Sequence, residues 1–214
     1  VKRRSVKIAT GAALLVVLWG LWVVGLALSR SRLESPGSSH LLLDREGRFL
    51  GEVAASEASD FGYWPLEELP PRVVAATLVL EDRRFWSHPG IDPLAMTRAL
   101  WQNVRGGRRV SGASTIAMQV ARLQRPGSRT YGRKLVESLT ALFLTLRHGR
   151  ENVLSHYLQI VPYGNRIHGI SYAARCYLEK PVEDLSWAEI AFLTAIPQSP
   201  SRMNPFTTEG RRAA

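Results

Sequence analysis

PRVVAATLVLEDRRFWSHPG, residues 71–90, runs an apolar segment directly into the densest polar cluster of the chain. Pro70 and Pro71 are placed to start a helix, because proline's fixed φ and missing N–H suit a first turn. The apolar stretch from Val73 to Leu80 then delivers the chain to Glu81, Asp82, Arg83 and Arg84. A carboxylate at the end of such a helix, beside Phe85 and Trp86, stands where partial desolvation suits it to general-base work. Glu81 is therefore the candidate base. The competing reading is a solvated turn in which Glu81 pairs with Arg84. His88, read alone, is more often a structural hydrogen-bonder than a ligand.

Downstream the pattern stays helical. Asp92 followed by Pro93 is an N-cap and first-turn signal, and Met96, Leu100 and Val104 repeat every four residues behind it. Ser114 can cap a helix carrying Ile116, Val120 and Leu123, while Leu135, Leu139, Leu142 and Leu146 make one stripe of a longer helix. Helices are also predicted over Arg150–Ile160 and Ser171–Leu178. Ser186-Trp187-Ala188-Glu189 fits a capping box, and Pro197 stops the run it opens. Upstream, Leu41-Leu42-Leu43 and Phe49-Leu50 flank Asp44-Arg45-Glu46-Gly47, which predicts a small β-hairpin over His40 to Val53. There is no internal repeat and no low-complexity tract. The reading is a mainly α domain that builds a cleft between helices.

The N-terminus adds a membrane element. No charged residue occurs from Ile8 to Leu28, and 21 positions at about 1.5 Å rise cover the roughly 30 Å of a bilayer's hydrocarbon. A cleaved secretory signal is the rival, with Ala27-Leu28-Ser29 as its site, but the run exceeds the length of a signal's apolar region. Lys2, Arg3, Arg4 and Lys7 precede the span, so the N-terminus is expected in the cytoplasm and everything after Leu28 outside it. Residues 1–7 thus read as a basic segment, 8–28 as the transmembrane helix, 29–39 as a Ser-, Arg- and Gly-rich linker, 40–206 as the catalytic domain and 207–214 as a tail. Twenty-eight Lys and Arg against 18 Asp and Glu give a formal charge of +10, which calls for an anionic partner. Anionic lipid and pyrophosphate qualify; the expected topology sets nucleic acid aside. The single cysteine, Cys176, forms no internal disulfide and reads as a small core residue.

Two further clusters carry chemical meaning. Gly112-Ala113-Ser114-Thr115-Ile116-Ala117-Met118-Gln119 places small residues and hydroxyls at a helix start, where unpaired N–H groups favour an anion such as pyrophosphate. Its plain alternative is a Ser-capped helix with Gln119 solvated. Arg129, Arg133 and Lys134 supply cations a turn or two apart, with Glu137 four residues beyond Arg133. That spacing can hold a polyanionic leaving group, directly or with Glu137 recruiting a divalent metal. It is equally the spacing of an ordinary i,i+4 ion pair. No zinc-ligand spacing, Ser-His-Asp arrangement or Gly-x-x-x-x-Gly-Lys loop is present.

Order and spacing decide between these alternatives. Glu81-Asp82-x-x-Phe85-x-x-His88-x-Gly90, Gly112-x-Ser114-Thr115-Ile116-x-x-Gln119 and Arg133-Lys134-x-x-Glu137-x-x-x-Ala141 together resemble the glycosyltransferase domain of class A penicillin-binding proteins and their monofunctional relatives. The likeness continues through Val153-Leu154-x-x-Tyr157-Leu158, Tyr163-Gly164, Gly169-Ile170-x-x-Ala173-Ala174, Leu185-Ser186-x-x-Glu189 and Pro197-Gln198-Ser199-Pro200. It covers about Leu41 to Pro205, and Pro162-Tyr163-Gly164 with the run to Asn204-Pro205 looks most like the 1C type. The resemblance implies a lysozyme-like helical domain that polymerises lipid II into β-1,4-linked glycan strands, with inversion at the donor MurNAc C1 and release of undecaprenyl pyrophosphate. Glu81 would be the base and Glu137 the second catalytic carboxylate and metal ligand. Asp82, Phe85, His88, Ser114, Thr115, Gln119, Arg129, Arg133 and Lys134 would bind or support substrate. Mg²⁺ or another divalent cation is the implied cofactor, with no organic one. Lipid II, the growing strand, the membrane and cell-wall synthesis proteins are the implied partners.

The chain departs from the family pattern at Gln159, where Asn is usual, at Thr145, where Glu is usual, and at Val136, often a second cation. Those departures support a competing reading as a catalytically weak, lipid II-binding scaffold. A glycan hydrolase is the third reading, and the cations from Arg129 to Lys134 argue against it. In penicillin-binding proteins a transpeptidase domain would follow the last motif.

Overall fold

The computed structural model describes residues 2–35, 37, 39–46, 48–53, 66, 68–107, 112–128, 130–200 and 202–207. Helix α1 spans Lys2–Ser29, and its Thr10–Ser29 portion is long and apolar enough to cross a membrane. Strands β1, His40–Leu43, and β2, Phe49–Val53, pair antiparallel in the position expected from the sequence. Asp44 closes their turn by accepting the N–H groups of Glu46 and Arg48 at 3.0 and 2.7 Å. The helices that follow are α2 Pro71–Glu81, α3 Pro93–Gly106, α4 Ile116–Gln124, α5 Tyr131–His148, α6 Arg150–Ile160, α7 Ile170–Leu178 and α8 Trp187–Ala195.

Their ends obey local chemistry. Asp92 caps α3 by accepting Ala95 N–H, Thr130 caps α5 through Arg133 N–H, and Ser186 with Glu189 forms the predicted capping box on α8. The cap of α4 is Thr115, accepting Met118 N–H at 3.2 Å, one residue beyond the predicted Ser114. Pro197 lies inside a short 3₁₀ turn, Ile196–Gln198, that continues directly from α8. A second hairpin, β3 Pro162–Gly164 with β4 Ile167–His168, lies outside the expectations above. Its turn residues Asn165 and Arg166 have φ of 51° and 62°, the paired left-handed conformation that matches strand twist. Asn165 is held there by hydrogen bonds to Tyr177 Oη and Asn204.

The core gathers around α6. Val153, Leu154, His156, Tyr157, Leu158 and Ile160 are all buried, so this helix is covered on nearly every side rather than amphipathic. Helices α2, α4, α5, α7 and α8 contribute to the same cluster. Helix α5 corrects the predicted leucine stripe. Leu135 and Leu146 are 41% and 67% exposed, whereas Val136, Thr140, Ala141, Leu144 and Thr145 are buried. The reason is steric: α5 meets α4 and α6, and small residues are needed where its backbone is approached closely.

Helix α1 packs along α5, burying Val23 and Ala27. The start of the predicted linker is docked as well. Ser31 is buried, its carbonyl accepts from His148 Nε2 at 3.2 Å, Glu34 pairs with Arg125, and Gln124 Nε2 reaches the Glu34 carbonyl at 3.4 Å.

Candidate active site

Glu81 stands at the last residue of α2, half-buried. Its Oε2 accepts a hydrogen bond from Gln119 Nε2 of α4 at 2.8 Å, joining two motif segments 38 residues apart. Oε1 is sealed from solvent and meets no protein donor. The alternative pairing with Arg84 does not form: Arg84 Nε lies 3.3 Å from Asp92 Oδ2.

Behind Glu81 lies a buried polar brace. Gly90 N–H donates to His88 Nδ1 at 3.2 Å, which leaves the proton of the neutral ring on Nε2. Nε2 then donates to Asp82, 3.0 Å from Oδ1 and 3.2 Å from Oδ2. Asp82 Oδ2 also accepts Ile116 N–H at 3.1 Å, so its charge sits on the unpaired N–H groups that open α4. Thr115 Oγ1 donates to the Gly90 carbonyl at 2.6 Å, and Arg150 Nε donates to the His88 carbonyl at 3.0 Å. Phe85 is buried edge-on to Trp86 and His88, with ring centroids 5.0 and 6.3 Å away.

Gly90 is required where it stands. Its φ is +104°, and a Cβ there would lie 2.5 Å from the Ala141 carbonyl oxygen and 2.6 Å from Thr145 Oγ1. Thr145, one of the departures, satisfies its own hydroxyl by donating to the Ala141 carbonyl at 3.0 Å. Gln159 donates to Ser155 Oγ at 3.0 Å, and Val136 is buried between α5 and α1. None of the three departures leaves an unpaired charge.

The cationic segment opens α5. Arg133 Nε donates to Glu137 Oε1 at 2.9 Å, and the Arg133 guanidinium lies over Gly127, where a Cβ would collide with Nη1. Lys134 is exposed, and Arg129 lies outside the described residues. Next to this segment a pocket of about 360 Å³ opens between α1 and α5. Trp19, Trp22, Val23, Leu26 and Val136 form its apolar wall, and Arg30, Ser128, Thr130 and Arg133 form its polar one.

The candidates therefore separate by exposure. Asp82, His88 and Thr115 are buried with their side-chain polar atoms bonded to protein partners, and Phe85 is buried beside them, an arrangement that positions neighbours. Glu81, Ser114, Gln119, Arg133, Lys134 and Glu137 keep exposed surface. Two residues without an assigned role feel the charge of Glu81. Burial first, and then the charge of Glu81, push the phenols of Tyr157 and Tyr163 upward, so both stay protonated at any physiological pH. Arg122 acts on Tyr157 in the opposite sense. Its signal was available, because it follows Gln119 by three residues and so shares its helix face.

A metal centre is not preformed. Among the described residues no group of three His, Cys, Asp or Glu side chains could hold an ion. Glu137, with one oxygen on Arg133, has the other for a hard cation. That fits magnesium's habit of binding through one or two carboxylates together with substrate phosphates.

Residues 46–214 match the family model described as transglycosylase, and the chain belongs to that family. Within it, the chain is similar to penicillin-binding protein 1C of Escherichia coli K12, at 41% identity over 140 residues, 65% of this chain and 18% of that protein. Penicillin-binding protein 1A of Aquifex aeolicus and penicillin-binding protein 2D of Bacillus subtilis are each 35% identical over 173 residues, 80% of this chain and 23% and 25% of theirs. The chain thus spans about a fifth to a quarter of the length of the curated relatives it matches.

Proposed function

We propose that the chain is a peptidoglycan glycosyltransferase that extends glycan strands from lipid-linked disaccharide units at the membrane surface. The hydrogen bond between Glu81 and Gln119 carries the reading, because it ties a braced carboxylate at the end of α2 to α4, the helix packed against α5, which bears Arg133, Lys134 and Glu137. Glu81 takes the proton from the acceptor GlcNAc 4-hydroxyl, and that oxygen attacks the donor MurNAc anomeric carbon. The bond from that carbon to the pyrophosphate oxygen breaks with inversion, and undecaprenyl pyrophosphate leaves with the bonding pair. Arg129, Arg133 and Lys134 offset the charge that gathers on the departing pyrophosphate. Glu137 orients Arg133 and offers a ligand position to a divalent cation, which when bound would neutralise phosphate charge. Asp82, Phe85, His88 and Thr115 hold the end of α2 against the start of α4, so that Glu81 and Gln119 stay in register.

A lipid-linked substrate agrees with the pocket between α1 and α5, which offers an apolar wall beside the cations. Membrane attachment agrees with α1 and with the exposed Leu94, Leu100, Trp101 and Val104 of α3. The N-terminus is assigned to the cytoplasm and the catalytic domain to the outer face of the cytoplasmic membrane. The test incubates detergent-solubilised protein and its Glu81→Gln variant with labelled lipid II and Mg²⁺. Wild type should form long, lysozyme-sensitive polymer, and the variant should lose about 10² or more in turnover with substrate binding little changed. Full activity in Glu81→Gln would refute the assignment of the base.

A further inference from the structure

At the opposite end of α2 from Glu81 a second cavity takes no part in the mechanism above. Arg72 on its edge stands about 14 Å from Glu81 along the helix, at about 1.5 Å per residue. The cavity holds about 320 Å³, and Leu69, Val182, Leu185 and Ile190 give it an apolar lining. That is the small end of the range for ligand pockets, a size for an anchoring side chain rather than a whole cofactor. Its walls are set in advance. Pro70 and Pro71 fix the chain as it enters α2, and Pro181 leads into the 3₁₀ turn Val182–Asp184 on the other side.

The charges at the mouth select the occupant. Glu68 and Glu183 line it, Asp184 adjoins Glu183, and all three are exposed. Among the described residues none of these carboxylates forms an ion pair or a side-chain hydrogen bond. Two nearby cations are engaged elsewhere. The Arg72 guanidinium lies over Trp187, 5.8 Å from the ring centroid, and Lys180 Nζ is 2.6 Å from Glu189 Oε1. A chain of formal charge +10 thus keeps an acidic rim around an apolar hole. The complementary shape is an apolar side chain flanked by positive charge. We propose that this cavity docks a partner protein through an extended segment that places an apolar side chain next to Lys or Arg. The apolar side chain fills the hole, and the basic one pairs with Glu68 and Glu183. The site stands apart from the glycosyltransferase reading, because none of its residues has a role in that mechanism.

The test selects random peptides displayed on phage against the detergent-solubilised full chain and, in parallel, against its Glu68→Gln/Glu183→Gln variant. Both exchanges are at exposed positions and keep side-chain size, so the fold should be retained. Clones enriched on wild type should carry an apolar residue beside Lys or Arg. Synthetic peptides made from them should bind the double variant at least tenfold more weakly, and their affinity for wild type should fall as salt is raised. The chain as a whole repels cations, so a preference for basic clones identifies this rim. Replacing the apolar residue of the peptide by Ser should also weaken binding at least tenfold. Charge reversal adds a gain of function: Glu68→Lys/Glu183→Lys should bind the same peptides once their basic residues are changed to Glu. Enriched clones without a basic residue, basic clones that bind the Gln variant as tightly as wild type, or no sequence enriched on wild type over that variant would each overturn the proposal.

Discussion

Removing the Asp82 carboxylate should unfasten α2 from α4. Its two oxygens receive His88 Nε2–H and Ile116 N–H, and the side chain is only about 5% exposed. In Asp82→Ala both donors remain buried without an acceptor. At about 1–3 kcal/mol for each stranded donor, the loss is about 2–6 kcal/mol. For a chain of this length each kcal/mol lowers the melting temperature by about 2–4 °C, so a fall on the order of 10 °C is expected. Asp82→Asn keeps one acceptor oxygen and should lose about half as much. Differential scanning fluorimetry on detergent-solubilised protein ranks the three. Because α4 carries Gln119, polymerisation should fall in the same order. A melting temperature within about 1 °C of wild type in Asp82→Ala would refute the brace described above.

Other outcomes follow from single contacts. Gly90→Ala must adopt a positive φ with its Cβ against the Ala141 carbonyl, and should cost about 3 kcal/mol or more, read as a melting shift. Glu137→Gln should lower the rate and flatten its dependence on Mg²⁺ concentration, measured as initial polymerisation rates; an unchanged Mg²⁺ response would remove the metal role alone. Burial first, and then the charge of His148, hold His156 down at about 4, against an ordinary value near 6.5. The unfolded chain therefore binds more protons between those values. The His156 contribution to stability should decline as pH drops from about 6.5 to about 4 and stay level below. The difference in melting temperature between wild type and His156→Gln across that range should display the slope.

Most of the fold could be read along the chain, and the failures have physical causes. Capping signals located α3 and α8 because Asp92, Ser186 and Glu189 act on groups three residues away. Periodicity failed on α5, since a helix covered by neighbours on several sides has no single apolar stripe. The β3–β4 hairpin escaped because Asn165-Arg166 lacks the glycine that usually marks such a turn. Within the site, Glu81 and the cations of α5 could be named from local clusters. The division of Asp82, His88 and Thr115 from the more open residues could not, because it depends on bonds between segments 25 to 34 residues apart.

The docked strap from Ser31 to Glu34, with α1 laid along α5, makes the catalytic body an extension of its membrane helix rather than a weight on a tether. On the proposed topology such a body cannot tumble above the bilayer. It drifts sideways with its cleft at one height and one tilt, and its lipid-borne substrates drift in the same sheet. Encounter then becomes a search in two dimensions with orientation already settled. Cutting the half-exposed Glu34–Arg125 pair alone would not undo this, because α1 would still lie along α5.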